Sequence, residues 1–137
     1  MTILKHKKPI PFDFVLEALF EKLPTTKPMF GCTGVYVRGK IVFILRDRKR
    51  PIADDGVWIC TSAEHHESLR QEFPNMRSIQ VFETEVTGWQ VLSCQAEDFE
   101  ESVLRACEFV IKNDPRIGRA PRPKNREKSV KKYRQKT

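Results

Sequence analysis

The stretch from residue 28 to residue 45 constrains the fold of this chain more than any other part of it. Gly31, Gly34 and Gly39 interrupt apolar and β-branched runs there, a pattern typical of strands joined by tight turns. Arg38 and Gly39 are predicted to form a two-residue hairpin turn, because glycine readily takes the positive φ that such turns require. The block therefore predicts an antiparallel arrangement, but it supplies no catalytic group.

The run 41–45 inside this stretch is apolar at every position, which predicts a central strand buried on both faces. The face that carries Val42 and Ile44 must then be covered by a helix or by another subunit. Four other segments show the short apolar patterns of strands, at 35–37, 57–60, 77–82 and 89–94.

Three segments carry the apolar periodicity of helices, at 11–23, 62–73 and 97–112. Asp13 is the predicted N-cap of the first helix. Residues 61–64, Thr-Ser-Ala-Glu, match a capping box before the second helix, in which the threonine hydroxyl and the glutamate carboxylate accept hydrogen bonds from backbone N–H groups. The third helix has acidic residues at its start, where the helix dipole favours them.

The elements follow the order α-β-β-β-α-β-β-α, with short links between successive strands. This order predicts an α+β domain in which helices pack on a single antiparallel five-stranded sheet. The domain is predicted to span residues 12–113. Residues 1–11 are predicted to form a flexible basic arm, and residues 114–137 a basic, disordered tail, because prolines and cations outnumber apolar residues there.

The net charge of +7 is unevenly distributed along the chain. Residues 112–137 hold eleven Lys or Arg against two acids, and residues 1–10 hold three lysines. Residues 11–111 hold eleven basic and sixteen acidic residues, so the predicted body is mildly acidic. Basic ends of this kind attract polyanions, which makes nucleic acid a candidate partner.

Short groups of residues in the glycine-punctuated stretch resemble a known protein family. They are Met-Phe-Gly at 29–31, Gly-Val-Tyr at 34–36, and Gly-Lys at 39–40 followed by Phe43. They look like the N-terminal domain of the TfoX/Sxy competence regulators. The later stretch, from 55 through Trp89 and the last helix, is similar to the small YjbR/MmcQ-type proteins.

The resemblance covers about residues 12–119 and implies the YjbR-like fold that these two families share. It transfers no catalytic residue, because the group has no agreed catalytic set. The structural motif residues that carry it are Met29, Phe30, Gly31, Gly34, Tyr36, Gly39, Phe43 and Trp89.

The residue types that perform catalysis are not arranged for it in this sequence. His65 and His66 are adjacent, whereas two metal ligands on one helix face require a spacing of three or four residues. The four cysteines are scattered singly among apolar neighbours, as is typical of core thiols, and Cys32 is the one worth testing as a nucleophile. No catalytic, cofactor or metal site is predicted, and the chain is predicted not to be an enzyme.

Cations in two regions are candidates for binding nucleic acid, because each phosphate that they neutralise releases counterions. Neither a platform of interleaved aromatic residues nor a recognised reading helix accompanies them, which favours contact without sequence specificity. The candidates are Arg46, Arg48, Lys49, Arg50, Arg116, Arg119, Arg122, Lys124, Arg126, Lys128, Lys131, Lys132 and Arg134.

Two functions follow from these patterns. The first is a non-enzymatic protein-binding or dimerising scaffold, with a protein partner or a second copy on an uncovered apolar face. The alternative is electrostatic nucleic-acid binding through the basic C-terminal tail. No run approaches the ~18 apolar residues of a membrane span, and no secretory signal pattern is present. The predicted location is therefore cytoplasmic, with no membrane partner.

Overall fold

The computed structural model describes residues 9–80 and 88–120. The regular elements are α1 Phe14–Ala18, β1 Thr25–Met29, β2 Cys32–Val37, β3 Lys40–Arg46, β4 Gly56–Ile59, α2 His66–Glu72, β5 Arg77–Ser78, β6 Gln90–Ser93 and α3 Phe99–Ile111. Within these ranges, three short 3₁₀ helices lie at Phe20–Lys22, Ile52–Asp54 and Ala63–His65. None of the helices in the described ranges is both long enough and apolar enough to cross a membrane.

Among the described residues, six strands form one sheet in the order β1-β2-β3-β4-β6-β5, with every neighbouring pair antiparallel. The predicted α+β class with a single antiparallel sheet is confirmed, and so is the central position of the strand at 41–45. The predicted count of five strands is wrong. The additional strand is β1, which has no apolar alternation because it lies exposed at the edge of the sheet.

Two tight turns join the first three strands. Phe30 and Gly31 have φ values of 52° and 74°, and Arg38 and Gly39 have values of 56° and 77°. Positive φ at both central residues defines the type I′ turn, whose twist matches that of the flanking strands. The predicted turn at Arg38 and Gly39 is confirmed, and Met29–Cys32 and Val37–Lys40 are the strand pairs that flank the two turns.

One face of the sheet packs against α1, α2 and α3. The main core includes Val15 of α1, Leu69 of α2, Phe43 of β3 and Val103 of α3, each fully buried. Phe12 extends this packing, since its ring lies 5.3 Å from that of Phe99 in an edge-to-face arrangement. Burial of large apolar side chains between helices and sheet supplies most of the driving force for this fold.

The opposite face of the sheet holds a smaller apolar cluster. Cys32, Ile44, Trp58 and Val91 are its buried members. The expectation that Val42 and Ile44 share a face is wrong: the pairing of β2 with β3 shifts register between Val35 and Tyr36, and Val42 belongs to the helix-covered core instead. A bulge places an extra residue in one strand, so the side chains beyond it point to the opposite face of the sheet from the one that simple alternation predicts.

The helices differ from their predictions at their ends. The helix predicted at 11–23 is an α-helix only at Phe14–Ala18, followed by a 3₁₀ turn. The capping box at 61–64 is not formed, because the buried Thr61 hydroxyl has no hydrogen-bond partner in the described structure. Asp13 occupies the N-cap position of α1, but its side chain makes no capping hydrogen bond.

The folded region continues past the predicted boundary at residue 113. Ile117 is buried in the main core. Arg119 exchanges backbone hydrogen bonds with Ile41, at 3.0 and 3.1 Å, which adds a bridge to the sheet. The predicted strand at 77–82 is observed at Arg77–Ser78, and its last two residues lie outside the described ranges, as does most of the predicted tail.

Candidate functional site

The segment 46–55, here called the basic loop, connects β3 to β4 and is organised around one buried carboxylate. Asp55 accepts a hydrogen bond from the Arg46 guanidinium at 2.7 Å. The same carboxylate accepts from the backbone N–H groups of Arg48 at 2.9 Å and Lys49 at 2.8 Å. A carboxylate bound by successive N–H groups and a guanidinium is strongly held, so the loop has a defined shape.

The Arg46 side chain lies buried in the interior of the basic loop. Its side chain is 3% exposed, and besides Asp55 it donates to the carbonyl oxygens of Arg50 at 2.8 Å and Pro51 at 3.0 Å. Both members of the Arg46–Asp55 ion pair therefore make further hydrogen bonds. A buried ion pair needs such bonds to offset the free-energy cost of removing its charges from water. The Arg46 guanidinium consequently organises the loop and is not presented to solvent.

A second buried carboxylate, Asp54, ties the basic loop to the far edge of the sheet. It accepts from the backbone N–H of Gln80 at 2.8 Å and lies 3.3 Å from the Arg77 guanidinium. Arg77 also donates to the carbonyl oxygen of Ala53, and the Trp58 indole N–H donates to the Asp54 carbonyl oxygen at 2.9 Å. The 3₁₀ turn at the end of the loop is thus held by side chains of β4 and β5.

The outer surface of the basic loop carries three successive exposed cations. Lys49 pairs with Asp47 at 2.6 Å, with both side chains largely exposed. The Arg48 guanidinium lies over Gly31 and donates to its carbonyl oxygen at 3.3 Å. Arg50 is exposed. Among the described residues, no acid lies within ion-pair distance of Arg48 or Arg50, so these two charges face solvent.

A different surface lies where the first helical segment meets the edge strand. Phe20 and Leu23 are 72% and 77% exposed. Phe20 is the first residue of the 3₁₀ turn Phe20–Lys22, and Leu23 is the residue that caps its C-terminus. Phe20, Glu21, Lys22 and Leu23, here called the edge patch, present two exposed apolar side chains with one acid and one base between them in sequence.

The backbone at Leu23 makes its exposure unusual. Leu23 has φ 52° and ψ 62°, the left-handed conformation, in which glycine or asparagine is the common residue. That conformation costs other residues about 1–2 kcal/mol. Neither local conformation nor burial within the domain therefore favours leucine at this position.

Arg38 is a second non-glycine residue in the left-handed region, and its side chain has a clear role. Its guanidinium donates to the carbonyl oxygens of Val110 at 2.9 Å and Ile111 at 3.0 Å, at the C-terminus of α3. The Val110 carbonyl oxygen also accepts from the backbone N–H of Asn113 at 2.9 Å, and a cation at this end of the helix interacts favourably with the helix dipole. The strain at Arg38 is thus compensated by contacts inside the domain.

The edge strand beside the edge patch is poorly suited to pairing with another strand. Met29 and Cys32 flank a two-residue turn and form a hydrogen-bonded pair. Hydrogen-bonded and non-hydrogen-bonded pairs alternate along an antiparallel ladder, so the backbone groups of Thr26 and Pro28 point away from β2 toward solvent. Proline offers no N–H, and Lys27 adds charge to the strand. Contacts with this edge must therefore come mainly from side chains.

The thiols are not poised for nucleophilic chemistry. Burial raises the pKa of the Cys60 thiol to about 11 and that of the Cys107 thiol to about 12. The pKa values of Cys32 and Cys94 are also raised, again mainly by burial. A raised pKa leaves little thiolate near neutral pH.

The two histidines in the described ranges have structural partners. His65 Nε2 lies 3.2 Å from a carboxylate oxygen of Glu64, and His66 Nε2 lies 3.0 Å from the carbonyl oxygen of Gly88. Within residues 9–80 and 88–120, no three His, Cys, Asp or Glu side chains are placed to hold a metal ion.

The motif residues named from the sequence occupy structural positions. Gly34 lies on the smaller apolar face, where a side chain would meet Met29, Ile41 and Tyr36 within 3.4 Å. Phe43 is buried in the main core, and Gly31 and Gly39 occupy the two hairpin turns. The Trp89 ring lies 5.9 Å from that of Trp58. These residues shape the sheet, and Met29 and Trp89 pack against the smaller apolar cluster.

The cations named as nucleic-acid candidates divide into four groups. Arg46 is buried and paired with Asp55. Arg48, Lys49 and Arg50 are exposed together on the basic loop. Arg116 forms a two-bond pair with Asp114, and the Arg119 guanidinium donates to the carbonyl oxygen of Thr61 at 2.6 Å. The remaining candidates lie outside the described residues: Arg122, Lys124, Arg126, Lys128, Lys131, Lys132 and Arg134.

The sequence interpretation missed two residues that shape these surfaces. Asp55 is visible in the sequence only as part of a polar loop ending in Asp-Gly, and its role depends on contacts to residues six to nine positions earlier. Leu23 falls within the helix predicted at 11–23. A leucine followed by Pro24 is the available signal, because proline disfavours helical conformation in the residue before it.

Comparison with known proteins gives no family assignment. The chain matches no protein-family model, no curated protein and no solved structure. The TfoX/YjbR resemblance and the specific YjbR-like fold therefore stay predictions.

Proposed function

We propose that this chain is a non-enzymatic scaffold domain that dimerises through the edge patch. The observation that carries the proposal is Leu23, a bulky apolar residue held in a left-handed conformation and 77% exposed. Because the domain itself gains nothing from leucine there, its side chain is best explained by a contact with another polypeptide.

The charge pattern of the edge patch favours a second copy of this chain as the partner. A two-fold interface places the same surface on both protomers, so it must be complementary to itself. Phe20 and Leu23 pack against their copies, while Glu21 of one protomer faces Lys22 of the other. Within one chain these two charges are 4.0 Å apart and the Glu21 side chain is 65% exposed, which leaves it available for the partner.

A stable interface buries about 800 Å² on each partner, more than the edge patch alone supplies. The exposed strand β1 continues directly from the patch and provides the adjoining area. Because Pro28 and Lys27 disfavour strand pairing, the two protomers meet through side chains and do not form a continuous sheet.

Sedimentation equilibrium of the full chain over a range of concentrations tests the proposal. We expect a monomer–dimer equilibrium that Leu23→Gly shifts at least tenfold toward monomer. Leu104→Ala is the matched control, because Leu104 is a 45% exposed leucine of another element, α3. A wild-type chain that stays monomeric, or a dimer that Leu23→Gly leaves unchanged, would refute the proposal.

Charge reversal identifies the geometry of the contact. Glu21→Lys and Lys22→Glu each place like charges opposite one another in a two-fold dimer, so each variant alone should dimerise more weakly. A mixture of the two variants restores opposite charges across the interface and should form a heterodimer. Equal behaviour of the single variants and their mixture would place the interface elsewhere.

A further inference from the structure

The outer surface of the basic loop is not part of the proposed dimer interface. Its buried cation, Arg46, and its organising carboxylate, Asp55, satisfy each other and the loop backbone. The interior of the loop is therefore complete without a ligand, while Arg48, Lys49 and Arg50 remain on the outside. A rigid loop displays these cations at a small entropic cost to binding.

The charge balance of this surface favours an anionic ligand. The Lys49–Asp47 pair cancels one cation, and Arg48 and Arg50 leave two uncompensated guanidinium groups. Guanidinium groups donate two parallel hydrogen bonds to phosphate oxygens, which makes arginine a preferred phosphate ligand. The ligand class is therefore a phosphate-bearing molecule.

An aromatic ring beside these cations favours nucleic acid over an acidic protein. Arg48 is anchored on the carbonyl of Gly31, so its guanidinium lies next to the turn that carries Phe30, which is 63% exposed. Bases of single strands stack on exposed aromatic rings and guanidinium planes, whereas an acidic polypeptide gains little from them.

We propose that Arg48 and Arg50 of the basic loop, together with Phe30, form a binding surface for single-stranded nucleic acid, with phosphates on the arginines and a base on the ring. The site is sequence-tolerant, because it offers stacking and charge but no set of groups that reads base edges. It is separate from the edge patch and does not depend on dimerisation.

Fluorescence anisotropy with the full chain tests this site, using labelled 20-nucleotide dT and U oligonucleotides and a duplex of the same length. We expect Arg48→Glu/Arg50→Glu to weaken single-strand binding at least tenfold. The slope of log affinity against log salt should also fall by about 0.7 for each phosphate that the variant no longer neutralises. Arg105→Glu/Lys112→Glu, with the same change in net charge at two exposed positions outside the basic loop and the edge patch, is the matched control. Phe30→Ala should weaken binding severalfold with no change in that slope.

Several outcomes would overturn the proposal. A loop variant that loses no more affinity than the charge-matched control would assign binding to other cations of the chain. Equal affinity for the duplex would remove the role of Phe30, and equal affinity for polyglutamate of similar length would point to an acidic protein. Thermal unfolding of each variant verifies the fold, and Arg50→Glu alone, at an exposed side chain, replaces the double variant if that one is unstable.

Discussion

The basic loop and the edge patch each contain a residue in the left-handed conformation, but they differ in what stabilises it. In the basic loop, Lys49 has φ 73°, and its backbone N–H donates to the Asp55 carboxylate at 2.8 Å. In the edge patch, Leu23 has φ 52° and a side chain that is 77% exposed. Strain in the first region is compensated inside the domain, whereas strain in the second is not. This difference separates a structural role from a role in binding.

The largest effect is expected from removing the carboxylate that compensates the basic loop. Asp55→Ala leaves the Arg46 guanidinium buried without its counterion and removes the acceptor for two backbone N–H groups. Breaking a buried ion pair in this way costs about 3–5 kcal/mol in the free energy of unfolding. Urea unfolding followed by tryptophan fluorescence measures it.

Asp47→Asn is the control for that variant, because it removes an acid of the same loop whose pair with Lys49 is largely exposed. Exposed pairs contribute about 0–1 kcal/mol, so the control should be close to wild type. Similar losses of unfolding free energy in the two variants would mean that Asp55 does not hold the loop. The strain at Lys49 would then be no better compensated than the strain at Leu23.

An intermediate effect is expected at Arg38, whose strain is also compensated. Arg38→Gly relieves the left-handed conformation but removes both hydrogen bonds to the end of α3. Hydrogen bonds to charged groups contribute about 1.5–3 kcal/mol each when buried, and these are partly exposed, so we expect a net loss of about 1 kcal/mol. Thermal unfolding measures it. A gain in stability would show that the two hydrogen bonds contribute less than the strain.

Replacement by glycine should stabilise the protein at Leu23, whereas at Arg38 it should destabilise it. Leu23→Gly relieves the left-handed conformation and loses almost no burial, so we expect the monomer to become more stable by about 0.5–1 kcal/mol. The measurement must be made below the concentration at which the chain associates, because dimerisation stabilises the folded wild type.

Leu104→Gly is the matched control for this prediction. It makes the same chemical change at a partly exposed leucine within α3, where glycine costs about 1 kcal/mol in helix propensity. Destabilisation by Leu23→Gly would mean that the leucine packs within its own domain, and the argument for the edge patch as a binding surface would fail.

The parts of the fold that follow from local pattern were predictable, and those that depend on distant partners were not. The turn at Arg38–Gly39 and the central strand β3 follow from glycine conformation and from an unbroken apolar run. Strand β1 was missed because an edge strand needs no apolar face. The capping box at 61–64 fits the sequence pattern, yet Thr61 is buried by neighbours that the pattern does not contain.

The candidate surfaces were predictable only in part. The cations at 46–50 were visible as a charged loop, but nothing in the local sequence separates Arg46, which pairs with Asp55, from Arg48, which faces solvent. That separation depends on the direction of each side chain at the end of β3. The edge patch was hidden because Phe20 and Leu23 look like continuations of an apolar helix face.

The smallest effect is expected in the reactivity of two thiols, Cys32 and Cys94, whose pKa values depend on the charges of the basic loop. The pKa of Cys94 is raised mainly by burial, with Asp55 and Asp47 adding to the shift, whereas Asp47 does not act on Cys32. Asp47→Asn therefore lowers the pKa of Cys94 alone. Below that pKa the labelling rate follows the thiolate fraction, so Cys94 should react faster at pH 8 in the variant than in the wild type.

Mass spectrometry of partly labelled protein resolves the four thiols and gives each rate separately. Cys60 and Cys107, with pKa values of about 11 and 12, should stay unreacted in both proteins and confirm that the fold is intact. The difference at Cys94 should shrink above its pKa, where the thiolate predominates in both proteins, and in high salt, where the field is screened. Acceleration of Cys32 by the same factor would mean that Asp47→Asn loosens the whole loop, in which case the loop is not held by Asp55 alone.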